Sequence, residues 1–140
     1  MTISIDTNVI AALWNPDHVS NSNAVRMLEW TRAQGNLVIS GPTYSELMAG
    51  PLRDEASLDM FCAETGIAVD WIIEERIWRA AGAAYRGYAY RRKSSTGNPP
   101  RRIAADFLIG AHALVRGYSL LTLDRKHFEA AYPTLPLIAI

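Results

Sequence analysis

One cysteine, Cys62, is all this chain has, so no intrachain disulfide can hold it together and a reducing compartment suits it. Long apolar runs are missing too. Nothing approaches the ~20 residues that a membrane-spanning helix needs, and no basic stretch followed by an apolar core opens the sequence. A cytoplasmic protein, neither spanning a membrane nor exported, is therefore expected. Repeats, linkers and low-complexity segments are absent, and residues 1–140 are read as a single domain able to bury roughly 70% of its unfolded surface. Net charge is lacking as well, since 14 Lys and Arg balance 14 Asp and Glu. That balance hides a segregation. From Asp54 to Glu75 there are seven acids and no basic residue, and from Arg76 to Arg102 eight basic residues and no acid. A chain laid out in this way can present one acidic and one basic surface to a polyanion.

What is present is an alternation of short apolar runs and amphipathic stretches. Thr2 to Ile5, Leu37 to Ile39, Ile67 to Val69, Leu120 to Leu123 and Leu137 to Ile140 read as buried strands. Between them lie helical patterns. The first follows Thr7-Asn8-Val9 and is broken at Asn15-Pro16-Asp17. A second, capped by Ser20 or Ser22, turns Val25, Leu28 and Met27 inward and ends at Gly35. Gly41-Pro42-Thr43 leads into a third, closed by Gly50-Pro51. An acidic helix over 54–65 is anchored by Leu58, Phe61 and Cys62. A longer one over 74–91 keeps Ile77, Ala81, Ala84 and Tyr88 on one side. The segment KSSTGNPP, 93–100, is loop by composition. Strand alternating with helix predicts an α/β fold, a parallel sheet covered on both faces.

The stretch from Ile103 to Phe128 organises the rest. Ile103, Ala104, Phe107, Leu108, Ala111, Leu114 and Val115 recur at helical spacing. Asp106 lies off that face, with Gly110 and Ala113 beside it, where a partner can approach closely. Gly117 stops the helix, and the strand that follows leads to Asp124, with a short helix at 127–131 beyond it. Ligands of open α/β sheets bind at the carboxyl ends of the strands. Asp6 and Asp124 stand at such ends, and Glu46 and Asp106 lie in the first turns of helices that begin at the same rim. Right-handed crossovers bring all four towards one cleft.

Ionised carboxylates gathered so closely repel one another, and a hard divalent cation relieves the conflict. An all-oxygen donor set without a Cys/His cluster selects Mg²⁺ or Mn²⁺ over zinc. Each acid has a plainer role open to it. Asp106 can complement its helix dipole, Glu46 can be a surface residue, Asp124 can cap the helix after it and Asp6 can form an Asx turn. Singly, the plain roles weigh more for Glu46 and Asp106; jointly, four acids at matching positions favour the metal.

The DTNV at 6–9, the helix carrying Glu46, ADFLIGAHAL at 105–114 and TLDRKHF at 122–128 together resemble a PIN-domain nuclease. In size and motif order the chain is most similar to the VapC-type toxins of bacterial toxin–antitoxin pairs, and the resemblance covers nearly its whole length. It implies a Rossmann-like sheet of five parallel strands, helices on both faces, and a homodimer. It implies that Asp6, Glu46, Asp106 and Asp124 bind Mg²⁺ and that Asn8 and Thr122 orient those carboxylates by hydrogen bonds. The activity implied is hydrolysis of single-stranded or loop RNA to 5′-phosphate and 3′-hydroxyl ends, held in check by a cognate antitoxin.

The segment YRGYAYRRKSSTGNPPRR, 85–102, interleaves tyrosines with Arg86, Arg91, Arg92, Lys93, Arg101 and Arg102. Cations neutralise phosphate and exposed tyrosines stack on unpaired bases, so this segment is the expected RNA contact. The alternative is a solvated helix end with Tyr85 and Tyr88 in the core. His18, His112 and His127 offer no acid–base pair and are expected in structural or surface positions. Trp14, Trp30, Trp71 and Trp78 are expected in the core or in a dimer interface. Two rival functions remain. A metal-dependent phosphatase wants Asp-X-Asp after the first strand, where this chain has Asn8. A PIN-like module that binds nucleic acid or a partner without cutting would not need four acids.

Overall fold

The computed structural model describes residues 1–50, 53–97 and 104–139. Five strands form one parallel sheet: β1 (Thr2–Ile5), β2 (Asn36–Ser40), β3 (Ile67–Asp70), β4 (Ser119–Thr122) and β5 (Leu137–Ala139), in the order β3-β2-β1-β4-β5. The helices between them are α1 (Thr7–Trp14), α2 (Asn21–Gln34), α3 (Gly41–Met48), α4 (Glu55–Thr65), α5 (Glu75–Thr96), α6 (Ala104–Arg116) and α7 (Arg125–Ala131).

Successive side chains of a strand point to opposite faces, and the two faces carry separate cores. Ile3, Ile5, Leu37, Ile39 and Leu121 pack with α1 to α4, while Leu120 packs with α5, α6 and α7. The neighbours Leu120 and Leu121 thus anchor opposite layers, which is why the strands read as unbroken apolar runs. The chain builds outward from β1 through β2 to β3, then returns to the other side of β1 for β4 and β5. The switch in direction lies between β1 and β4, where such sheets open a crevice beyond the strand ends.

Helix α6 is buried nearly all round. Phe107 to Ala113 are all buried, including Ile109 and His112, which the amphipathic pattern does not single out. The close approach expected at Gly110 is internal. A Cβ there would stand 2.3 Å from Cε2 of Tyr132, whose hydroxyl donates to the Phe107 carbonyl at 2.6 Å. Gly117 adopts φ 73°, the left-handed region that glycine enters without penalty. The Tyr118 N–H then reaches back to the Ala113 carbonyl at 2.8 Å and closes the helix end.

Several boundaries differ from expectation. Helix α5 runs to Thr96, five residues beyond Arg91, because Arg and Lys sustain a helix and the first breaker is Gly97, at φ 72°. Strand β4 stops at Thr122, leaving Leu123 and Asp124 in the turn, and α7 starts at Arg125. In α2 it is Ala24, Leu28 and Thr31 that are buried, while Val25 is 37% exposed, one residue off the inward stripe. Pro51, Pro100, Ile103 and Ile140 lie outside the described residues. The acidic and basic segments pair where they adjoin in sequence, and Arg116, outside the basic segment, also reaches the acids. Arg76 pairs with Glu74 at 3.1 Å, and Arg116 reaches Glu74 at 3.3 Å and Asp70 at 3.5 Å.

Candidate active site

Asp6 sits at the switch point, where β1 gives way at once to α1. It is 5% exposed, and its backbone N–H donates to the Leu121 carbonyl of β4 at 2.9 Å. The Thr122 hydroxyl donates to Asp6 Oδ2 at 2.7 Å and accepts the Asp124 N–H at 2.9 Å. One hydroxyl therefore ties the end of β1 to the turn after β4. Burial pushes the Asp6 carboxyl up from 3.8 to about 6, against the pull of the Thr122 hydrogen bond, and the charges of Asp106 and Glu46 push the same way.

Glu46 projects from α3, which starts on a Ser40 cap accepting the Thr43 N–H at 3.5 Å, with Pro42 in its first turn. The Thr7 hydroxyl donates to Glu46 Oε1 at 2.8 Å. Partial burial raises the Glu46 carboxyl too, opposed by Thr7 and reinforced by the charge of Asp106. Asp106 occupies the first turn of α6. Asp6, Glu46 and Asp106, which are 40 and 60 residues apart along the chain, thus feel one another's charge.

Asp124 stands apart in one respect. It is the N-cap of α7, with Oδ1 accepting the His127 N–H at 3.4 Å. The plain role weighed for it is thus present in the fold, alongside its link to Thr122. Asn8 also differs from expectation. Its Oδ1 accepts the Leu123 backbone N–H at 3.2 Å, so it holds the turn that carries Asp124 rather than a carboxylate. Thr7 has no place in the sequence reading. Its only signal is its position, next to Asp6 and first in α1, where a short hydroxyl lies along the rim.

Among the described residues no three His, Cys, Asp or Glu side chains are grouped closely enough to cage a metal. Mg²⁺ does not require a cage; it keeps several waters and takes one or two carboxylates plus substrate phosphate. A buried carboxyl whose acidity is suppressed by burial and by two neighbouring acids fits that demand, since a cation would reverse the shift.

The three histidines are structural. His112 Nε2 lies 2.8 Å from Asp70 Oδ2, and His18 Nδ1 accepts the Ser20 N–H at 3.0 Å. His127 is buried against Phe107 and Phe128, ring centroids 5.1 and 4.8 Å away. Of the tyrosines, Tyr85 and Tyr88 pack on Phe107, at 4.7 and 5.5 Å, whereas Tyr90 is exposed. Trp14 meets Phe61 edge-on, but Trp30, Trp71 and Trp78 stand exposed rather than in the core. The basic residues of α5 divide. Arg86 lines a groove between α5 and α6 with Trp78, while Arg91 and Arg92 face α7; Lys93 is exposed. Arg101 and Arg102 lie outside the described residues.

Residues 3–132 match the family model for the PIN domain. The chain belongs to the PIN domain family. Solved structures share its fold. VapBC-1 from nontypeable Haemophilus influenzae contains a chain that superposes with a TM-score of 0.71 at 21% identity, over 99% of this chain and 98% of that one. VapBC2 from Rickettsia felis, bound to a DNA fragment from their promoter, gives 0.66 at 20% identity, with coverage of 99% and 98%. A toxin–antitoxin complex from Klebsiella pneumoniae gives 0.65 at 20%, with coverage of 97% and 95%. No curated protein sequence matches. The PIN domain is a nuclease family, in general dependent on divalent metal, and in this PIN domain Asp6 and the turn bearing Asp124 lie at the sheet's switch point.

Proposed function

We propose that this PIN domain, comprising residues 1–140, is a Mg²⁺- or Mn²⁺-dependent endoribonuclease and the toxin of a type II toxin–antitoxin pair. The observation that carries the reading is the electrostatic convergence of Asp6, Glu46 and Asp106 beside the Asp124 turn. Asp6, Glu46, Asp106 and Asp124 are the residues that hold the metal. When bound, the cation supplies Lewis acidity towards a phosphodiester and makes water a stronger acid. The chain's own groups do the positioning. Thr122 holds Asp6, Thr7 holds Glu46, and Asn8 holds the backbone leading to Asp124. Burial of Asp6 excludes competing water and strengthens every charge interaction at the rim.

RNA as substrate is supported by the cationic C-terminal end of α5, where Arg91 and Arg92 face α7 and Lys93 is exposed, whereas Arg86 lies on the opposite, α6 side and is left out of this contact. Arg101 and Arg102 are assigned to the same contact from the sequence. A protein antitoxin is supported by the VapBC and toxin–antitoxin complexes that share the fold. The pair works in the cytoplasm, and the toxin is a homodimer to which the exposed Trp30 and Trp78 contribute apolar surface.

The phosphatase reading loses ground, because Asn8 occupies the place of a second acid and spends its amide on Leu123. A module that only binds would have no use for carboxylates that raise one another's pKa. The test is cleavage of a single-stranded RNA by the purified chain. Cleavage is expected with Mg²⁺ or Mn²⁺, none in EDTA, and none by Asp6→Asn, with no phosphate released from small esters. Undiminished cleavage in EDTA would overturn the metal role.

A further inference from the structure

Helix α5, longer than its composition suggests, carries its last two turns past α7 and leaves a cleft of about 330 Å³ between them. Arg91, Arg92 and Ser95 line one wall and Lys126 the other, with Tyr88 and His127 at its base. Three cations thus surround one concavity with no acid among its lining residues. Neither Arg91 nor Lys126 enters an ion pair among the described residues.

The cleft is joined to the acidic rim on two sides. Lys126 and His127 follow Asp124 directly, and His127 donates its N–H to the Asp124 carboxylate. Tyr88 and His127 both pack against Phe107, next to Asp106, with ring centroids 5.5 and 5.1 Å from it. Repelling acids and convergent cations therefore sit side by side, separated by one layer of aromatic rings. A polyanion whose scissile phosphate is held at the acids needs such a site for its neighbouring phosphates. Arg86 does not take part, since it lines the groove on the other side of α5.

We infer that the α5–α7 cleft, through Arg91, Arg92 and Lys126, binds the backbone phosphate of a nucleotide flanking the scissile bond of a single-stranded RNA. This assignment rests on the nuclease reading and adds to it a path for the strand, from the acids past the Asp124 turn into the cleft. The contacts are to phosphate, so they are blind to base sequence. They set how well RNA is held, not how fast a bound strand is cut.

The experiment compares the full-length wild type with Arg91→Ala/Lys126→Ala, Lys126→Glu and Arg86→Ala. Anisotropy of a fluorescent single-stranded oligoribonucleotide in EDTA reads binding, cleavage in Mg²⁺ reads KM and kcat, and circular dichroism confirms folding of these surface variants. The double variant is expected to bind more weakly at every sequence. Its slope of log K against log salt should be shallower by about 0.7, the share of the one phosphate held in the cleft of a single strand. KM should rise with kcat retained, Lys126→Glu should act in the same direction, and Arg86→Ala should match the wild type. Wild-type binding and slope in the double variant, or an equal loss in Arg86→Ala, would overturn the cleft. A wild type that binds this RNA through the cleft but never cuts it would overturn the nuclease reading instead.

Discussion

Replacing Asp6 by Asn should make the metal-free protein more stable while destroying its activity. A buried carboxyl raised from 3.8 to about 6 is a group the fold prefers protonated. Its favourable contribution is complete below pH 3.8 and is lost as pH rises through 6, so at pH 8 the ionised side chain carries the whole cost. At 1.36 kcal/mol per unit that cost is about 3 kcal/mol. Asn keeps the shape, and its amide oxygen can still accept from the Thr122 hydroxyl. For a domain this size 1 kcal/mol moves the melting temperature by about 3–4 °C, so the variant should melt about 10 °C higher at pH 8 in EDTA. The gap should close as pH falls from 6 towards 4, and added Mg²⁺ should raise the wild-type Tm but not that of the variant. Thermal melts over a pH series, with and without metal, read all of this. A variant that melts at or below the wild type at pH 8 in EDTA would refute the reasoning, because the charge would then not be opposed by its surroundings.

Other outcomes follow from particular contacts. Gly110→Ala forces a Cβ against the Tyr132 ring and should destabilise by about 1–3 kcal/mol in denaturant melts, the usual cost of overpacking. Thr7→Val removes the hydroxyl that positions Glu46 and should weaken metal affinity or activity about 10- to 100-fold without unfolding the chain; a Mg²⁺ titration of cleavage would show it. Asp70 behaves oppositely to Asp6. Although burial works against it, the hydrogen bond from His112 and the nearby Arg116 leave its carboxyl below 3.8. It stabilises the fold above pH 3.8 and loses that contribution as pH falls through its lowered value. Asp70→Asn should therefore lower stability at pH 7 and flatten the acid limb of the stability profile.

The strands, the parallel sheet and the places of Asp6 after β1, Asp106 in the first turn of α6 and Asp124 after β4 were legible because each follows from local chemistry, whereas Glu46 lies sixth in the eight-residue α3 rather than in its first turn. Leu37-Val38-Ile39 reads as a buried strand whatever surrounds it, and Gly117 ends a helix for a backbone reason that needs no neighbour. What was misread depended on contacts. Periodicity leaves open that Gly110 faces a tyrosine 22 residues later in the chain, or that α6 is buried without a break from Phe107 to Ala113. Composition made 93–100 a loop, yet Lys93 to Thr96 continue the helix up to the first true breaker.

The order of residues along the chain thus determined which acids exist, which secondary elements carry them and at which end of the sheet they emerge. Tertiary structure alone decided how they meet. Thr122 donates a hydrogen bond to Asp6, Thr7 donates one to Glu46, and Asn8 accepts from the backbone. The α7 side chains facing Arg91 across the cleft were likewise settled only there. The reason is physical. Propensity and periodicity act over a few residues, whereas burial, charge coupling and hydrogen-bond partnership depend on distances set only once the chain between partners 36 to 116 positions apart has folded.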